Sequence, residues 1–204
     1  MDNSQHIVDY CPITPMPTHA VYHTIHALAL EQHGVFTAQQ ARKAGVTKQA
    51  VFEMVKRGRL AKVAHGLYRD PIVPVTRLTP YVAAVLWPQG VTGVLSHETA
   101  LDLMELSDAN PGQIHLTVPK KHRPRRRQPP PGVVLHFADL EPEDVGSVDG
   151  LPVTTAARTI RDCAAANIGP ALLRQALADG QKKGWLDARD AKTLTRDLTT
   201  NRKL

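Results

Sequence analysis

The sequence predicts an α+β protein: a small helical part that closes on a β-hairpin, followed by a larger mixed part. Three observations carry this. Short helical repeats punctuated by glycine occupy the stretch before residue 60, and a strand pair around a glycine bend follows at 60–69. After residue 79, helices and strands follow in an order that does not alternate, which excludes a doubly wound sheet. With 204 residues, the chain can bury one large or two small cores.

The elements follow in order. Residues 1–18 carry three prolines and no periodicity, so a flexible arm is expected. From Thr18 to His33, apolar Val21, Tyr22, Ile25, Leu28 and Ala29 recur at helical spacing, and Gly34 is a natural stop. In VFTAQQARKAG, Thr37 can cap a second helix, Ala38 and Ala41 give it a narrow packing face, and Gly45 ends it. Val46 and Thr47 open a third helix that Gly58 closes. LAKVAHGLYR reads as two strands bent at His65-Gly66. Helix, helix, glycine turn, helix and hairpin make a winged helix-turn-helix, expected over 19–77.

DPIVPVTRLTP (70–80) has three prolines and no helical pattern, and marks the expected domain boundary. An α+β domain over 78–204 follows. TPYVAAVLWP predicts a helix, and VLSHETALDLMEL a second one capped by Ser96. QIHLTVP and GVVLHFADL read as strands on either side of a basic, proline-rich loop at 120–131. LPVTTAARTIRDCAAA is a strand running into a helix capped by Thr154 or Thr155, in which Arg158 and Asp162 pair one turn apart. Two helices finish the chain.

The formal net charge of +6 is unevenly spread. Residues 1–79 hold nine Lys/Arg against five Asp/Glu; residues 80–204 hold sixteen against fourteen, six of the sixteen within 120–127. Without that tract the larger part is net acidic. Positive charge gathered at two places points to a polyanion touched at two surfaces.

On a helical wheel of 100° per residue, Ala50, Val51, Met54, Val55 and Gly58 share one side. Gln49, Phe52, Glu53 and Lys56 share the other, flanked by Lys48 and Arg57. A recognition helix needs such a division, one face locking it to the scaffold and the other reaching base edges. Lys48 and Gln49 suit base reading, and Phe52 suits a thymine methyl. Lys56, Arg57 and Arg59 suit phosphates. Glu53 is expected to accept from cytosine or to pair with Lys56 or Arg57. A charged face is otherwise only solvated, but the hairpin, with Lys62, His65 and Arg69, adds a second contact and tips the reading to double-stranded DNA. Thr37 and Thr47, at the helix starts, complete the expected contact set. Lys120, Lys121, Arg123, Arg125, Arg126 and Arg127 in the loop are assigned to DNA or a partner, with phosphate contact favoured over solvation.

Other functions lack support. No apolar run is long enough to span a membrane, and the N-terminus has no apolar signal region, so a cytoplasmic protein is expected. Cys11 and Cys163 form no metal or disulfide spacing. His97, Glu98, His115, His136 and Asp139 match no metal or hydrolase motif, and Ser96 lacks a nucleophile-elbow pattern. A satisfied core histidine is the expected state of His97. No catalytic residue, metal site or cofactor is expected, and the chain is not expected to be an enzyme.

GVFTAQQARKAGVTKQAVFEMVKRGRLAKVAHGLYRDP resembles the N-terminal domain of the AbiEi family, antitoxins of type IV toxin–antitoxin systems. The carriers are Phe36-Thr37, Ala41, Gly45-Val46, Arg57-Gly58-Arg59-Leu60 and Gly66-Leu67-Tyr68. LSHETALDLMEL, IHLTVPKKHRPRRR and GLPVTTAARTIRDCA are similar to blocks of the family's second domain, so that the likeness spans roughly residues 19–180. The resemblance implies a transcriptional autorepressor of its own promoter, read through inverted repeats. It also implies an antitoxin that counteracts a nucleotidyltransferase-like toxin, directly or indirectly. The alternative is neutralisation by direct toxin binding, with DNA or RNA contact secondary. A monomer or weak dimer that assembles cooperatively on DNA is the expected state.

Overall fold

The computed structural model describes residues 18–122 and 128–200, and the expected N-terminal arm, apart from Thr18, lies outside them. The first helix, α1 (Thr18–Leu30), buries Val21, Ile25 and Ala29, which recur every four residues on one face. Gly34, at φ +87°, turns the chain tightly beneath Val73. The next three residues form a strand, β1 (Val35–Thr37), that the sequence pattern did not announce.

Two short helices follow, α2 (Ala38–Lys43) and α3 (Lys48–Lys56). Each is held by the expected threonine. Thr37 forms a full capping box with Gln40, and the Thr47 hydroxyl accepts from the Ala50 N–H at 3.2 Å. Then come β2 (Ala61–Ala64) and β3 (Leu67–Arg69), bent at His65-Gly66 as expected. The three strands form an antiparallel sheet in the order β1-β3-β2.

This small sheet is covered on both sides. Phe36 lies opposite Tyr68, their rings stacked at 5.8 Å, facing a core with Val21, Ile25, Ala41, Val51 and Met54. Strand alternation sends Val35 and Leu67 to the other side, and both join the larger core. Residues 70–78 are turn and coil, yet Val73 among them is buried in the smaller core.

The larger part continues with α4 (Thr79–Leu86), β4 (Val94–Leu95), α5 (His97–Leu103), β5 (Ile114–Val118) and β6 (Val133–Phe137). A 3₁₀ turn, Pro142–Asp144, leads to β7 (Val145–Val148) and β8 (Leu151–Thr154), and α6 (Ala156–Ala165), α7 (Pro170–Lys182) and α8 (Ala188–Thr200) complete it. Its five strands form a mixed sheet ordered β6-β5-β4-β8-β7. β5 runs parallel to β6, and β4 to β8, while β4–β5 and β7–β8 are antiparallel. The α+β class therefore holds, with β4 and β7 added to the expected strands.

Two expected caps are realised differently. Ser96 and Thr155 occupy the N-cap positions of α5 and α6, but neither hydroxyl bonds a helix N–H. The Ser96 hydroxyl is engaged by His97 and Thr117, and the neighbouring Thr154 bonds Thr159 at 2.7 Å. Arg158 makes its expected pair with Asp162 and also reaches Asp144 at 2.6 Å, tying the 3₁₀ turn to α6.

Asp70, fully buried at the end of β3, fastens the smaller core. Its carboxylate meets His26 Nδ1 at 2.7 Å and accepts from the Tyr22 hydroxyl at 3.3 Å and the Ile72 N–H at 3.0 Å. Removing it strands partly buried donors. Asp70→Ala is expected to cost about 2–3 kcal/mol, read as a lower urea midpoint at unchanged slope; a loss below about 0.5 kcal/mol would show that the network contributes little.

Candidate nucleic-acid interface

α3 is oriented by its apolar side. Val51 and Met54 are buried and Ala50 and Val55 pack against the same core, which leaves the opposite side in solvent. There the structure places Lys48, Gln49, Phe52 and Lys56, with Arg57 at the C-cap and Arg59 just beyond. Phe52 is 60% exposed, a large apolar ring set among cations. The hairpin adds exposed Lys62 and His65. Among the described residues, Lys48, Lys56, Arg57, Arg59 and Lys62 make no ion pair with a carboxylate.

Glu53 is placed differently from expectation. Among the described residues it pairs with neither Lys56 nor Arg57. It accepts instead from Gln49 Nε2 at 3.0 Å, one turn back. That bond partly occupies the amide expected to read bases and damps the carboxylate on the exposed side.

Other expected contacts fall away from this surface. Thr37 is buried, its hydroxyl and N–H both spent on Gln40. Thr47 is exposed but serves as the α3 cap. Arg69 is half-buried and donates to the Val73 carbonyl at 2.8 Å, so it braces the chain after β3 rather than extending from the hairpin. His65 keeps its ring in solvent while its carbonyl accepts from Gln89 Nε2 at 3.0 Å. In the basic loop, Lys120 and Lys121 are exposed; Arg123, Arg125, Arg126 and Arg127 lie outside the described residues.

A second constellation unites histidines whose spacing in the sequence matches no metal motif. His97 at the start of α5, His115 on β5 and His136 on β6 converge, their nearest ring nitrogens all within 4.8 Å of one another. In the parallel β5–β6 pairing His115 faces Val134 and His136 faces Thr117, so both imidazoles stand on one side of the sheet. His97 stacks on His136 with centroids 3.6 Å apart. Burial pushes His97 down to about 3, reinforced by His136, His115 and Arg158. Burial also lowers His115, against a raising influence of Glu98, and it lowers His136, helped by His115. Nearby Cys163 is buried, which pushes its thiol up to about 12, with Glu98 and Asp162 adding to the shift. A thiol held protonated is no nucleophile.

These depressed values set the sign of a pH effect. Above pH 6.5, the imidazole's ordinary value, folded and unfolded forms are both neutral and the stability is intact. As pH falls toward 3, the unfolded chain binds protons that the folded cluster refuses, and stability is lost. The urea midpoint, measured with a chelator present, is therefore expected to drop as pH is lowered from about 7 to about 5. A flat profile across that window would mean that the folded imidazoles take up protons as readily as those of the unfolded chain.

Among the described residues no helix is long and apolar enough to cross a membrane. A search of curated proteins finds no match to the chain. Among solved structures, the RV2827C protein from Mycobacterium tuberculosis is similar at 16% identity and a TM-score of 0.46, over 87% of this chain and 80% of that one. The resemblance noted in the sequence does find its counterpart: residues 23–69, from α1 through the two capped helices to the end of the hairpin, match the family described as the transcriptional regulator AbiEi antitoxin.

Proposed function

We propose that the chain is a DNA-binding transcriptional autorepressor whose residues 19–77 act as a winged helix-turn-helix. One observation carries the reading. α3 turns a side with Lys48, Gln49, Phe52 and Lys56 to solvent, and the cations there and at Arg57, Arg59 and Lys62 have no carboxylate partner among the described residues. A merely solvated helix surface commonly intersperses both signs. Unpaired cations beside an exposed aromatic suit a phosphate backbone with base edges between its strands.

In this reading α3 enters the major groove, with Lys48 and Gln49 toward base edges and Phe52 against a thymine methyl. Lys56, Arg57, Arg59 and Lys62 hold phosphates, and the exposed lysines of the 120–131 loop supply a second contact. The match over residues 23–69 supports a regulator. The wider motif blocks support an antitoxin of a type IV toxin–antitoxin operon, acting in the cytoplasm against a nucleotidyltransferase-like toxin. The target is the chain's own promoter, read as inverted repeats by copies that assemble on the DNA.

The test is binding of the full chain to a labelled duplex from its own upstream region, against a scrambled duplex, across a salt series. Specific binding with a steep salt slope is expected. Lys56→Ala and Arg57→Ala should each flatten the slope by about 1 for both duplexes, whereas Lys48→Ala should cost about 1–3 kcal/mol on the specific duplex alone. Equal, salt-fragile binding to both duplexes, unchanged by these variants, would overturn the reading.

A further inference from the structure

We propose that His97, His115 and His136 form a binding site for a divalent transition-metal ion of borderline softness, of the Zn²⁺ class. The proposal is independent of the DNA-binding reading. Three imidazoles are a donor set for such ions, and Zn²⁺ holds imidazole nitrogens at about 2.0–2.1 Å, which sets them roughly 3.4 Å from one another. His115 Nδ1 and His136 Nε2 already lie 2.9 Å apart, and the third ring offers a nitrogen within 4.8 Å of both. Coordination therefore requires the rings to turn until the three nitrogens stand about 3.4 Å apart.

The surroundings resemble those of a prepared site. Metal-bound histidines donate their second ring N–H to an oxygen that fixes the tautomer. Here His97 Nδ1 meets the Ser96 hydroxyl at 3.0 Å, which leaves Nε2 for an ion. The Ser96 oxygen is itself fixed by Thr117, whose hydroxyl donates to it at 2.8 Å. His115 Nε2 meets the Glu98 carboxylate at 3.4 Å, which leaves Nδ1 on the side of His136. With an ion bound at Nδ1, this pair would become a carboxylate–histidine–metal arrangement. An ion requires the tautomers in which His97 Nδ1 donates to the Ser96 hydroxyl and His115 Nε2 faces Glu98, with the 2.9 Å hydrogen bond between His115 and His136 given up.

His97 supplies an independent sign. It is a non-glycine residue at φ +53°, at the first position of a helix, and it is buried. Left-handed backbone at such a residue costs about 1 kcal/mol or more and is retained where surrounding structure requires a particular side-chain direction. The direction it produces here brings the ring against His136.

The test uses the tag-free full chain, stripped with a chelator and titrated with Zn²⁺ against a competing chromophoric chelator. His ring nitrogens are followed by ¹H–¹⁵N NMR in parallel. About one ion per chain is expected, with three imidazole spin systems shifting together. His136→Gln should weaken binding at least tenfold. The control is His23→Gln on α1, where His19 and His23 lie 4.4 Å apart one turn from each other and could chelate weakly; it should leave the tight site unchanged. The NMR titration of the unaltered chain decides the matter even where His136→Gln fails to fold. Absence of Zn²⁺ binding, or binding that shifts His19 and His23 but not His97, His115 and His136, would overturn the proposal.

Discussion

The small sheet β1-β3-β2 is filled from both sides, and most of the remaining arrangement depends on that. Strands of three and four residues have almost no stability of their own. Here they persist because Phe36 and Tyr68 are packed by one core while Val35 and Leu67 are packed by another. Each buried aliphatic or aromatic side chain contributes about 1.5–3 kcal/mol relative to an exposed one. The sheet is therefore a shared wall rather than a tab on either part. The two capped helices are hung from it, since the Ala38 N–H that opens α2 donates to the Gly66 carbonyl of the hairpin bend.

How much of this was legible in the sequence depended on range. Features settled within a few residues were readable: the Thr37 cap, the start of α3 at Thr47, the His65-Gly66 bend, the buried side of α3 and the Arg158–Asp162 pair. β1 and β4 were not, because strands of three and two residues are too short to show alternation and exist only through their neighbours. Ser96 shows the same limit within one side chain. It stands where a cap should stand, but a threonine on the next strand, 21 residues on in sequence, competes for its oxygen.

The candidate interface divided along the same line. Exposure of Lys48, Gln49, Phe52 and Lys56 follows from a helical period and was visible in the residues. The burial of Thr37, the bracing of Arg69 and the Gln49–Glu53 bond depend on what packs or reaches nearby. The histidine cluster was the least legible feature. Its members come from a helix start and two parallel strands, separated by 18 and 21 positions, and only the β5–β6 register puts His115 and His136 on one side. No linear motif spacing encodes a register.

The bond from Gln89 Nε2 to the His65 carbonyl crosses from the larger part to the tip of the hairpin. It lies next to Gly66, where a Cβ would stand 1.9 Å from that same amide nitrogen, so the bend admits no side chain while the bond is made. The hairpin tip consequently has a mechanical reference in the segment between α4 and β4. If a ligand of the larger part shifted that segment, linkage would require docking on the hairpin to alter that ligand's affinity by the same factor. That amide adds a polar contact at the hairpin tip to the apolar wall that the two parts already share.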